Sequence, residues 1–99
     1  MDDGFDEVIH APIRLRVCAI LAEVTEAEFG TVRDALALSD SALSKHFKVL
    51  EDAGYVSLRK GTVNTRTRTW ASLTKSGRSA FKAHIGALRA LAASADALD

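Results

Sequence analysis

At Gly54 the periodicity of this chain changes. Before it, the stretch SDSALSKHFKVLEDAGYV (residues 39–56) spaces Leu43, Phe47 and Leu50 by four and three, the apolar stripe of an amphipathic helix. After it, Tyr55, Val56, Ser57 and Leu58 begin a strand, GTVNTR (61–66) reads as a hairpin tip, and Thr67, Thr69, Trp70, Ala71 and Leu73 return. Gly54 supplies the left-handed backbone that ends a helix. A helix that passes directly into a hairpin leaves few ways to build one core from a short chain.

The flanking segments narrow the choice. Pro12 suits a first helical turn, and Ile13, Val17, Ile20, Leu21 and Val24 follow as one stripe. Leu15 and Cys18 add a second apolar face, which points to a partner surface. A polar break at 25–28 and an anchoring Phe29 precede a second helix over about 31–37, with Val32 and Leu36 inward. Ser39 or Asp40 then caps the third helix. Thr74 caps a last helix over about 75–96, roughly 33 Å long, whose Phe81, Ile85, Leu88, Ala92 and Ala95 form a heptad-like seam. The expected fold is mainly α with a small β-hairpin: a three-helix core, a wing and a long C-terminal dimerisation helix. Residues 1–9 are expected to be a flexible acidic segment, and 10–99 a single domain.

Opposite its apolar stripe, the third helix presents Ser41, Ser44, Lys45 and Lys48. A helix entering the major groove needs short donors that approach base edges and longer cations that reach phosphates. The second helix and the short connection to it fit a helix-turn-helix. The hairpin adds Arg59, Lys60, Asn64, Arg66 and Arg68, with no acid close in sequence. Formal net charge is zero, yet the charge is segregated: residues 1–52 hold five Lys/Arg against eleven Asp/Glu, whereas 53–95 hold eight Lys/Arg and no acid. Such a local field suits an anionic partner.

Other functions find little footing. The single cysteine allows no internal disulfide, and with His10, His46 and His84 far apart it offers no metal-ligand spacing. No phosphate loop or H-E-x-x-H motif points to catalysis, so neither an enzyme nor a cofactor is expected. No apolar run approaches the roughly 18 residues of a membrane span, and the acidic start is unlike a signal peptide, which predicts a cytoplasmic protein without membrane contact.

In order, S-x-x-x-L-S-K-H-F-K-x-L-E-x-A-G-Y-V, a basic wing ending R-T-W, and L-T-x-x-G-R resemble the winged helix-turn-helix transcriptional regulators of the MarR/ArsR type, over about residues 10–91. The resemblance implies a homodimer on double-stranded DNA, with Ser41, Ser44, Lys45 and Lys48 in the recognition helix and residues 59–68 as the wing. His46 matches a frequent family histidine, but its place on the wheel is at the core edge. Pairing of first and last helices is expected to use Leu15, Cys18, Phe81, Ile85, Leu88 and Leu91. A small-molecule effector, where relatives use one, would bind in the cleft between those helices. The reading is therefore a DNA-binding regulator, a repressor on a palindromic operator; the alternative is a winged helix used only for protein–protein interaction.

Overall fold

The computed structural model describes residues 3–97. Its elements run α1 (Glu7–His10), α2 (Pro12–Ala22), β1 (Ala27–Glu28), α3 (Phe29–Ala35), α4 (Asp40–Asp52), β2 (Val56–Val63), β3 (Arg66–Leu73) and α5 (Lys75–Asp96). This is the winged-helix arrangement, mainly α with a hairpin wing and a long last helix. The sheet carries a strand that the sequence did not suggest. Order is β1-β3-β2, all antiparallel, with Ala27 opposite Ala71 and Glu28 opposite Trp70. Two residues are too few to show alternation, so β1 exists only through its pairing with β3.

The core is drawn from every layer: Ile9, Val17, Cys18, Leu21, Val32, Leu43, Phe47, Leu50, Val56, Ala71 and Leu73 are all buried. Phe29, the first residue of α3, packs edge-on against Phe47, with ring centroids 5.7 Å apart, so it ties α3 directly to α4. Local signals set the boundaries. Ser39 caps α4 by accepting from the Ala42 N–H at 3.1 Å, and Gly54 follows with φ +81°. Thr74 caps α5, accepting from the Gly77 N–H at 2.9 Å. The α3–α4 connection lacks glycine, and Ala37 adopts the left-handed backbone there, with φ 53°. The hairpin turn is tighter than expected: Val63 pairs with Arg66, so Asn64 and Thr65 alone form it, both with positive φ, while Gly61 sits within β2 opposite Arg68.

Two expectations are corrected. Residues 3–9 are not a loose extension, although Met1 and Asp2 lie outside the described residues. Asp6 caps α1 through the Ile9 N–H at 3.1 Å, Ile9 is fully buried, and the Tyr55 hydroxyl donates to the Asp6 carboxylate. The Asp6 N–H donates to His84 Nδ1 of α5 at 3.0 Å, and His84 Nε2 lies 3.2 Å from His10 Nδ1. Because His84 Nδ1 accepts, its proton belongs on Nε2, directed at His10. Phe5 closes the cluster edge-on to His84, with centroids 5.5 Å apart. A single helical turn shows no periodicity in sequence; tertiary contacts make it.

Cys18 is the second correction. It was expected at a subunit interface, but it is fully buried in its own subunit's core, where it presents no surface to a partner. The cause is the first correction: α2 packs against α1 as well as α4 and α5, so the Cys18 side of its second apolar face is covered within the chain, while Leu15 stays half-buried. Burial pushes the Cys18 thiol up to about 11, with the Asp6 carboxylate adding to the effect. The thiol is therefore unionised at neutral pH.

Candidate nucleic-acid interface

Helix α4 divides as its sequence requires. Leu43, Phe47 and Leu50 enter the core, and Ser41, Ser44, Lys45 and Lys48 are all exposed on the opposite side. His46 lies between, half-buried. Arg14 Nη1 donates to its Nδ1 at 3.4 Å, and burial, with the nearby Arg14 charge, lowers its pKa. Neutral and engaged with α2, His46 belongs to the framework and not to the exposed strip. Ser41 Oγ lies 3.3 Å from Ser39 Oγ, so the cap and the first exposed hydroxyl share a hydrogen bond.

The wing stands beside this strip, and its two faces differ. Lys60 and Thr69 are opposite one another in the β2–β3 register. Together with Phe29, Ser44, Lys48 and Leu58 they line a cleft of about 420 Å³ between α4 and the sheet. Arg59 is opposite Trp70 and Arg68 opposite Gly61; alternation places these on the outer face. There Arg59 lies over the Trp70 ring, 4.3 Å from its centroid, and reaches Glu26 beyond it, with Nη2–Oε1 at 2.6 Å and Nε–Oε2 at 3.2 Å. Arg68 Nη1 meets Glu28 Oε1 at 2.6 Å.

The sequence reading saw no acid near these arginines, and the structure corrects it. Glu26 and Glu28 are 33 and 40 residues away along the chain, but β1 carries them onto the wing. The Arg59 hydrogen bond lowers the Glu26 pKa and raises that of Arg59. On α4, Lys48 Nζ pairs with Asp52 at 2.9 Å, the (i, i+4) spacing, and this raises the lysine's pKa. At the other end of α4, Arg33 of α3 holds Asp40 at 2.8 Å. Of the six cations singled out from the sequence, Lys45, Lys60 and Arg66 have no ion-pair partner among the described residues, while Lys48, Arg59 and Arg68 do. Asn64, also singled out, sits exposed in the turn.

The profile described as "winged helix DNA-binding domain" matches residues 13–92, most of the chain and the whole of α4 and the wing. The chain belongs to that family. A curated relative, an uncharacterised protein of Methanocaldococcus jannaschii, is 32% identical over 79 residues, covering 80% of this chain and 86% of its own. Among solved structures, the transcriptional regulator homologue from Pyrococcus horikoshii OT3 superposes with a TM-score of 0.83 at 29% identity, over 95% of this chain and 90% of that one. A "possible transcriptional regulator for arsenical resistance" gives 0.67 at 28% identity, over 89% and 85%. These likenesses make this member of the winged helix family similar to transcriptional regulators, the type that its sequence resembled.

The residues expected at a subunit interface lie along α2 and α5. Leu15, Phe81, Ile85 and Leu88 are half-buried, and Leu91 is 58% exposed. Among the described residues no three metal-ligating side chains converge, and no helix is long and apolar enough to cross a membrane.

Proposed function

We propose that this protein is a sequence-specific, double-stranded DNA-binding transcriptional regulator that acts as a homodimer, and as a repressor, on a palindromic operator. The observation that carries the reading is the exposed strip of α4: short hydroxyls and a lysine, Lys45, with no ion-pair partner among the described residues, beside a wing whose Lys60 and Arg66 also lack one there. Ser41 and Ser44 are assigned to base edges, Lys45 and Lys48 to phosphates, and Lys60, Asn64 and Arg66 to the neighbouring backbone and minor groove.

Homodimerisation draws its support from the shape of the subunit. The principal extents are 57 × 25 × 21 Å, because α5 runs on past its own domain and carries Leu91 into solvent. Two-fold pairing through α2 and α5 would cover that surface and set two recognition helices about 34 Å apart, one turn of duplex.

Lys45→Ala tests the reading by titration of a duplex at several salt concentrations. A lost phosphate contact weakens binding to every sequence and reduces the slope of log K against log salt by about 0.9. Wild-type affinity and slope would remove Lys45 from the interface. Binding of the native protein that is indifferent to salt would favour a protein–protein module instead.

A further inference from the structure

The outer face of the wing carries two arginines that are already engaged. Arg59 and Arg68 were counted with the DNA-binding cations from sequence, yet each ends on a carboxylate supplied by the segment around β1. Arg59 is also flattened against Trp70, a guanidinium held between an aromatic face and a bidentate acid. Neither pair is buried: the arginine side chains are 55% and 42% exposed and the glutamates 38% and 33%. Exposed pairs of this kind are weak in water and are screened by salt. An approaching phosphate could therefore compete for the arginine, but it would meet the carboxylate's charge as well.

We propose that Glu26 and Glu28 are restraints on DNA affinity: they hold Arg59 and Arg68 off the phosphate backbone, so that Lys60 and Arg66 are the wing's only cations on the backbone. The inference rests on the DNA-binding reading and deepens it. The phosphate term is independent of sequence and makes up most of a regulator's affinity for the wrong sites. Neutralising half of the wing's basic residues by built-in acids lowers that term without touching Ser41 or Ser44, which are assigned to the bases. Glu26 and Glu28 are thus positioning residues, acting on DNA through the arginines they hold.

The test is the salt dependence of binding to a random-sequence duplex, using the full chain. In Glu26→Gln/Glu28→Gln the arginines are released while side-chain volume is kept. The slope of log K against log salt should steepen by up to about 1.8, the value for two added phosphate contacts, and affinity at low salt should rise about tenfold or more. Arg59→Ala/Arg68→Ala in the native background should leave the slope unchanged. The four substitutions together should return the slope to the native value, which shows that the gain runs through these arginines. If the Gln pair leaves the slope unchanged, or if removing the arginines alone flattens it by about 1.8, the restraint is overturned. A merely structural role for the pairs would lower the melting temperature and leave the slope alone, which also overturns it. A native protein with no salt-dependent duplex binding would instead defeat the DNA reading itself.

Discussion

The two halves of α5 continue one helix and meet opposite surroundings. In the first half, Gly77 and His84 are buried and Ala80, Phe81 and Ile85 are half-buried against the domain. From residue 89 to residue 97 every position is exposed, Leu91 at 58%. One continuous helix thus passes from a place where one face is fixed by its neighbours to one where every position from 89 to 97 is exposed. The contrast teaches that amphipathic periodicity specifies which face seeks cover but not where the cover comes from. For the first half it is α1, α2 and the base of the wing; for the second it would be another copy of the chain.

Breaking the first half should cost most. A Cβ built on Gly77 would lie 2.0 Å from the Tyr55 carbonyl oxygen, a backbone atom that also accepts from the Thr74 N–H at 2.9 Å. Gly77→Ala must therefore push α5 away from the start of β2, and a loss of about 3 kcal/mol in chemical denaturation is expected. A native-like melt would show that α5 is not seated as closely as described.

Next comes His84. Its removal leaves the Asp6 N–H without an acceptor and a cavity beneath Phe5, so His84→Ala should cost about 2 kcal/mol. The same site predicts a pH effect. Burial, then the neighbouring His10, lower the His84 pKa below the usual 6.5, with the Asp6 charge opposing them in part. The folded state therefore needs the neutral ring. Its contribution is present in full above the unfolded value near 6.5 and is lost as pH falls through the lower folded value. Stability measured across that window should decline on acidification, and His84→Leu should flatten the decline. An unchanged slope would mean that His84 is not the group titrating.

The second half should barely register in the folding of a single subunit. Leu91→Glu is expected to change the chain's own stability by less than about 0.5 kcal/mol, yet to shift the species seen in sedimentation from dimer to monomer. A large loss of monomer stability would show that residue 91 has an intrachain partner and would blur the contrast.

Sequence patterning was sufficient wherever one segment carried its own signal. Ser39, Thr74 and Gly54 mark helix ends by local hydrogen bonding and backbone conformation, and the α4 strip follows from spacing alone. What escaped depended on meetings between distant segments. Ile9, β1 and the burial of Cys18 make sense only together with the elements packed against them. The acids on Arg59 and Arg68 came from before α3, where they read as a polar break. Gly77 was visible as part of a motif, but the reason for it, the Tyr55 carbonyl, lies on another element.

The bond from Asp6 to His84 spans 78 residues, and this sets an order of events during synthesis. Helix α1 leaves the ribosome before α5, and its seat is unfinished until α5 has been made. At roughly 5–20 residues per second that wait is about 4–16 seconds. Through it Asp6 and Phe5 lack His84, so a turn that emerges ahead of α5 settles only after it.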